Sequence, residues 1–399
     1  MLTRSRLTRN PPTPKAKAKK ALPGPPVDDT GWVLLAAVVA MLCTIGLMMV
    51  LSASSVEGLR SYGGAWVFFQ RQLLWVAIGS AVLVGAALSD YRRWRRAVTP
   101  LLAGSFILLL LVLLPGVGIT AGGSSRWLGI GSFRIQPSEL AKLAVLLFGA
   151  DLIARRALLV ADFNSVMKPL LVTTGLVSAL VLVQPDMGTT LLMVFIAFVL
   201  MFVGGVPLKP MVGLSSAAMV ASVVMAKAEA YRWERVSSFR DPFADFENTG
   251  YQVAQSLVAL GTGQVGGVGL GASRAKWGYL PNAHTDFIFA IVGEELGLIG
   301  TFGVVGLFVA FAVLGIRTAL RAPDRFGTLV AAGVTAWVCG QAVVNMGAVT
   351  SLLPVTGVPL PFVSFGGSSL VVTMAATGIL LNIARQSQPR PSKVADAAS

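Results

Sequence analysis

Apolar runs of about 18 residues or more recur along almost the whole chain, and nothing in it constrains the fold more. One such run could be a core helix. A soluble body of 399 residues does not have enough interior to bury them all. Only 13% of residues are charged, against about 25% in an ordinary soluble domain, and the mean hydropathy is +0.74. The fold class is therefore an all-α polytopic membrane protein. Hydropathy places about ten transmembrane helices, near 31–52, 66–88, 98–115, 138–155, 166–184, 187–204, 208–226, 286–314, 327–349 and 365–385.

The net charge of +14 reads as membrane topology and not as nucleic-acid binding, because the basic residues gather in short loops and tails. "DYRRWRRA" (90–97) joins the second and third spans, Arg155, Arg156 and Lys168 lie between the fourth and fifth, and Arg317, Arg321 and Arg325 lie between the eighth and ninth. These loops fall on one side, the cytoplasm, together with both termini. Residues 1–30 form a disordered basic tail, 31–386 the membrane domain and 387–399 a C-terminal tail. Basic tails also suit anionic membrane lipids. The opposite side holds 116–137, the corner "QPDMG" (184–188), a large loop over 227–285 and the Pro-rich 350–364. The large loop carries Lys227, Arg232, Arg235, Arg240, Arg274 and Lys276, against the usual charge bias. An anionic ligand such as a phosphate is one reason for them. Pairing with Glu229, Glu234, Asp241, Asp245 and Glu247 is the other.

Cys43 and Cys339 lie in apolar segments and read as packing residues, and a single histidine excludes a multi-histidine metal site. Polar groups within apolar spans are costly and therefore informative. Glu139 and Lys142 share a helix face, either as a local ion pair or lining a site. Asp186, after Pro185, reads first as the cap of the sixth span. "YLPNAHTDFIFAIVGEELGLIG" (279–300) puts His284, Asp286, Glu294 and Glu295 at the start of the eighth span, where Gly293 and Gly297 suit close helix contact. Asp286 is a helix cap or a catalytic carboxylate, and Glu294 lies about 12 Å deeper along the axis. "GTGQVGGVG" (261–269) contains a literal GxGxxG, but with no strand before it and no βαβ unit after it. Its glycines suit a re-entrant or surface backbone that approaches another element closely. "LPVTGVPLPFVSFGGSSL" (353–370) cannot be a straight helix, and broken backbone at membrane depth must be buried in protein or line a cavity. Its serines have no local base to activate them.

Four blocks together resemble the SEDS family of shape, elongation, division and sporulation proteins, the FtsW/RodA/SpoVE group. They are "RWLGIGSFRIQPSELAKL", "QPDMGTTLL", the long block from "YRWERVSSFRDPF" through "KWGYLPNAHTDFIFAIVGEELGLIG", and "NMGAVTSLLPVTGVPLPFVSFGGSSL". "KWGYLP" and "QSLVALGTG" resemble the division branch, FtsW, more than RodA. The family usually has Glu where Asn282 stands, Tyr at Phe365 and Gly at Ser351. The resemblance implies a bacterial cytoplasmic-membrane glycosyltransferase at the division septum, which polymerises lipid II with Asp286 as its catalytic carboxylate on the extracytoplasmic face. One inverting displacement needs one base, and the diphosphate leaving group needs cations. The candidate substrate contacts are Arg126, Glu139, Lys142, Arg232, Arg235, Arg240, Lys276, His284, Ser368 and Ser369. A divalent ion, Mg or Mn, is left open. The implied partners are a class B penicillin-binding transpeptidase and other division proteins. A lipid II flippase is the competing reading, and a scaffold with an inactive polar cavity is a third.

Overall fold

The computed structural model describes residues 30–121, 124–130, 133–227, 241–244, 246 and 250–387. The N-terminal tail to residue 29, the C-terminal tail from 388, and Arg232, Arg235 and Arg240 lie outside the described residues. The helices are α1 Thr30–Tyr62, α2 Val67–Leu88, α3 Trp94–Leu113, α4 Pro137–Arg155, α5 Lys168–Val183, α6 Met187–Val203, α7 Leu208–Lys227, α8 Tyr251–Gly263, α9 Ile288–Arg321, α10 Arg325–Val349 and α11 Gly367–Gln386. Each of the ten predicted segments falls on a helix. Among the described residues, seven helices are long and apolar enough to cross a membrane, and α6 is apolar but shorter. The fourth predicted segment is α4, whose Glu139, Lys142, Asp151 and Arg155 keep it from being uniformly apolar. At 33 residues, α1 is roughly 50 Å long, well beyond what a hydrocarbon core requires.

The apolar side chains of α1, α2, α4, α6, α9, α10 and α11 merge into one core, with Trp337, Phe311, Phe326 and Phe362 among its largest buried members. At one end the predicted basic loops are tied to each other. Arg92 Nε lies 3.2 Å from Asp324 Oδ2, joining the α2–α3 and α9–α10 connections. Asp151 on α4 pairs at 2.8 Å with both Arg95 and Arg155. Arg325 donates to the Gly204 carbonyl at 2.6 Å. The charges that mark these loops in the sequence thus cross-link the helix ends.

The other end departs from a simple helical bundle. The 116–137 connection contains three short antiparallel strands, β1 Ile119–Ala121, β2 Ser124–Ile130 and β3 Phe133–Ile135, in the order β1-β2-β3. Ile119 pairs with Trp127, and Leu128 with Ile135. The large loop folds back as α8, which packs on α9 and α10.

The expectation of a continuous eighth span is corrected. Helix α9 starts at Ile288, two residues after Asp286, and breaks at Gly297, whose φ/ψ of 66/−160° is not helical. Gly293 serves close contact against Leu260 and Gly263 of α8, and Gly297 serves close contact too, but at a break in the helix and against the 265–267 backbone. The residues after α8 enter this break. Val268 N donates to Glu294 O (2.9 Å) and Gly269 N to Glu295 O (3.1 Å). Leu298 N donates to Gln264 O (2.9 Å) and Ile299 N to Val265 O (3.3 Å). These four bonds replace helical ones that the break removes, as a low-dielectric surrounding requires. The backbones approach so closely that a Cβ on Gly267 (φ +78°) would lie 2.1 Å from Glu295 O, and one on Gly297 would lie 2.4 Å from Gly267 N.

Gly297→Ala therefore combines a left-handed φ with a backbone overlap. It is expected to cost about 2–4 kcal/mol, read as a lower thermal midpoint of the detergent-purified protein. Gly303→Ala, at an open position on the same helix, leaves the midpoint unchanged.

Candidate functional site

Four helix N-termini meet at the end opposite the basic loops. Asp186 caps α6 by accepting from Thr189 N (3.1 Å). The same side chain ties α6 to α4, since its Oδ2 accepts from Gln136 Nε2 (3.0 Å) and Ser138 Oγ (3.4 Å). The cap reading of Asp186 is therefore realised together with a tertiary role. Gln136 N donates to Ser368 Oγ (3.1 Å), which brings in the start of α11. Gly188 packs against Thr356 and Val358 of the extended segment 354–360, where a Cβ would meet Thr356 O at 2.8 Å. That segment in turn lies against the start of α9.

Asp286 stands at this last junction, half-buried. Its backbone is held from several sides. Asn345 Nδ2 on α10 donates to Asp286 O (2.7 Å) and to Val358 O (2.9 Å). Ser364 Oγ donates to Thr285 O (2.6 Å), and Phe365 N donates to His284 O (3.0 Å). The carboxylate faces Gly357, whose φ is +73°. A Cβ placed there would lie 3.7 Å from Asp286 Oδ2. A left-handed glycine thus leaves room beside the acid.

His284 sits among aromatic rings. Its ring lies 4.8 Å from Phe68 and 5.7 Å from Phe365 by centroid. Burial among these rings pushes the imidazole pKa below its ordinary range, with Glu57 acting weakly in the opposite sense. Gln72 of α2 is fully buried behind them and donates to Ser364 O (3.2 Å).

Lys142 is completely buried, 3.0 Å from Glu139 Oε1 and 3.1 Å from Gln341 Oε1, with Nζ 5.0 Å from the Trp337 ring centroid. The ion-pair alternative for these two residues is realised. Lys142 also bonds Gln341, one helical turn from Asn345, which holds the Asp286 carbonyl. Gln341 and Asn345 share a face of α10, about 6 Å apart along its axis. Gln341 Nε2 donates to Pro359 O (2.9 Å), so both amides grip the same extended segment. Glu139 Oε2 is buried with no hydrogen bond among the described residues.

Arg126, on β2, donates to Gln184 O (2.8 Å) and Pro185 O (2.6 Å), clamping the "QPDMG" corner. Ser368 is buried against Gln136, and Ser369 beside it is half-buried. Lys276 is not part of this cluster. It is 8% exposed and paired with Glu295 at 3.4 Å. Arg232, Arg235 and Arg240 lie outside the described residues. Among the described residues, no three His, Cys, Asp or Glu side chains converge to hold a metal ion. Sequence reasoning missed Gln72, Gln341 and Asn345. The available signal was their uncharged polarity inside apolar spans.

Two outcomes follow from this geometry. Asn345→Leu leaves the carbonyls of Asp286 and Val358 without their donor, at a cost of about 2–4 kcal/mol in unfolding measurements. It also lowers turnover. His284 is held neutral in the fold while the unfolded imidazole titrates near 6.5. Its contribution to stability is thus present above that pH and is lost as pH falls below it. The thermal midpoint of His284→Phe relative to the parent should rise between pH 7.5 and 5.5.

Residues 33–389 match the FtsW/RodA/SpoVE family of cell cycle proteins. The chain is 44% identical over 359 residues to the probable peptidoglycan glycosyltransferase FtsW of Mycobacterium tuberculosis, covering 89% of this chain and 68% of that one. It is 41% identical to stage V sporulation protein E of Bacillus subtilis, covering 89% and 97%. Among solved structures it is similar to a chain of a peptidoglycan synthase complex that coordinates polymerization and crosslinking. That match has a TM-score of 0.71 and 30% identity, covering 90% of this chain and 98% of the other. The rod shape determining protein RodA of Thermus thermophilus is also similar, with a TM-score of 0.66 and 28% identity over 88% and 96%. With residues 33–389 matched and relatives about 40% identical over nine-tenths of its length, this chain belongs to the FtsW/RodA/SpoVE family, the SEDS proteins.

Proposed function

We propose that this chain is a peptidoglycan glycosyltransferase that polymerises lipid II into β-1,4-linked glycan strands by an inverting, single-base displacement. The observation that carries the reading is the setting of Asp286. It is a half-buried carboxylate at a helix entrance, with the backbone of 284–286 held by Asn345, Ser364 and Phe365. Such anchoring suits a group that must meet a sugar hydroxyl in one orientation.

The chemistry requires little else from the chain. Asp286 accepts the proton of the acceptor 4-hydroxyl. That oxygen forms a bond to the donor anomeric carbon from the face opposite the diphosphate. The anomeric C–O bond breaks, and the polyprenyl diphosphate leaves with the bonding electrons. Inversion of the α-linked donor yields the β-linked product in one step. The developing negative charge meets a region where four helix N-termini converge, with Arg126 and Lys142 among the described cations on these elements. Arg126 keeps part of its guanidinium fork beyond its two carbonyl contacts.

The wider setting follows the same reading. The protein is an integral membrane protein, with ten spans, both termini in the cytoplasm and the Asp286 end on the extracytoplasmic face of the bacterial cytoplasmic membrane. The similarity to FtsW proteins supports work at the division septum. A class B penicillin-binding transpeptidase is the expected partner, in keeping with the synthase complex to which the fold is similar. An apolar groove of about 590 Å³ between α8, α9 and α10, lined by Leu260, Phe302, Val305, Val343 and Leu353, is the face we assign to that partner's membrane helix.

The test supplies labelled lipid II to the detergent-purified protein, with its transpeptidase partner, and resolves products by gel. Asp286→Asn and Asp286→Ala should lower polymerisation by about 10²–10⁴-fold. Polymer formed by Asp286→Ala at the parental rate would refute the base assignment. Translocation of lipid II across vesicles without polymer would favour a flippase.

A further inference from the structure

The function proposed above leaves unused a second buried charge cluster beneath the Asp286 loop. Glu294 and Glu295 end the first segment of α9, just before the Gly297 break, and both are almost fully buried. Their side chains turn toward the loop that leads to Asp286. Glu294 accepts from Ser273 Oγ, from Arg274 N (2.8 Å) and from Ala275 N (3.3 Å), so it caps the short 3-10 turn Ala275–Trp277. Glu295 Oε1 accepts from Ser52 Oγ on α1 (2.6 Å), from Ser273 N (3.3 Å) and from Lys276 Nζ (3.4 Å).

Lys276 can be accounted for completely. An ammonium has three N–H donors. Its Nζ has three acceptors within reach, at Gly271 O (2.6 Å), Ser52 Oγ (3.2 Å) and Glu295 Oε1 (3.4 Å). No donor is left for a diphosphate, and the charge is neutralised where it stands.

The connectivity gives the cluster its consequence. From Gln264 to Ile299 the chain leaves the α9 break, passes the Ser273–Lys276 turn, carries Asp286 and returns to the break. Its two ends are stitched together by the four backbone bonds at Gly297, and its middle is pinned by Glu294 and Glu295. Ser52, with Arg60 Nη1 on the Trp277 carbonyl (3.2 Å), ties this closed loop to α1. We propose that Lys276, Glu294 and Glu295 are positioning residues, a buried clasp that fixes the Asp286 loop against α9 and α1, and that Lys276 does not contact the substrate diphosphate. The proposal rests on Asp286 being the base.

The experiment uses the full chain with its partner in nanodiscs. It compares Lys276→Met, Glu295→Gln, the double variant and Ser52→Ala. Hydrogen exchange of the 278–287 backbone is read alongside kcat and KM for lipid II. Expected for each single charge variant are roughly tenfold faster exchange over 278–287, kcat lower by about tenfold and KM within about twofold. The double variant should be no worse than the more severe single one, because one interaction is removed in both. Ser52→Ala strands no charge and still folds where Lys276→Met does not. It should move exchange in the same direction by a smaller factor. A rise in KM of about fivefold or more in Lys276→Met, with exchange unchanged, would overturn the proposal and return Lys276 to the diphosphate. Unchanged exchange in both Glu295→Gln and Ser52→Ala would overturn it as well. Asp286→Asn separates the two readings. Parental turnover in that variant removes the base assignment, while the exchange response of the clasp variants still decides whether the loop is held as described.

Discussion

Everything at the active end depends on the peptide groups released where α9 breaks at Gly297. In a bilayer interior a broken helix is tolerated only when other protein groups take over its hydrogen bonds. Here one segment, 264–269, supplies both missing donors and missing acceptors. That requirement explains why the large loop cannot stay at the surface. It must re-enter, and α8 must lie close enough to α9 that a Cβ on Gly263 would overlap the Gly293 carbonyl. The break has a further effect. It separates a short segment that carries Asp286 at its entrance from the long remainder of α9, so the acid rides on an element set by loop contacts as well as by the bundle.

The charges obey the same constraint. A buried ion costs several kcal/mol unless it is paired and hydrogen-bonded. Lys142 has Glu139 and Gln341, and Lys276 has Glu295, Ser52 and Gly271. The two pairs differ in what surrounds them. The first reaches the α10 face of Gln341 and Asn345, and Asn345 holds the Asp286 carbonyl. The second is enclosed within its own loop. A cation in the large loop is therefore no guide to anion binding until its donors have been counted.

The spans and the basic connections between them were legible because their signals are local: apolar length, and charge in short loops. The importance of "QPDMG", of Glu139 with Lys142, and of the Pro-rich segment was legible as polar or broken sequence at membrane depth. What could not be read was pairing between distant segments. Nothing local says that Gln264 and Val265 accept from Leu298 and Ile299, or that Glu295 reaches Ser52 across 243 positions. The strands of 119–135 also escaped, because short hairpins between Gly-rich turns carry little periodicity. Gly297 was read as a contact glycine since its neighbours continue a helical pattern on both sides. It does make a close approach, but only its φ of +66° shows that the helix also breaks there.

The three departures from the usual family residues can be weighed by the same geometry. Asn282 has φ +57°, and its carbonyl accepts from Thr285 N and Phe287 N to start the turn into α9. A left-handed residue costs most side chains about 1–2 kcal/mol, and Asn is among the few that adopt it readily. The backbone work of that position is therefore done by Asn at least as well as by Glu, and the side chain is exposed. Ser351 has φ +60°, where glycine would be unstrained, so this substitution carries a conformational cost at the end of α10. Phe365 sets its ring 5.4 Å from Phe68 and beside His284, a contact that needs the aromatic face and not a hydroxyl. All three positions act on the path of the chain around Asp286. None of them replaces Asp286 or the residues that hold its backbone, Asn345 and Ser364, so the departures bear on how the loop is held.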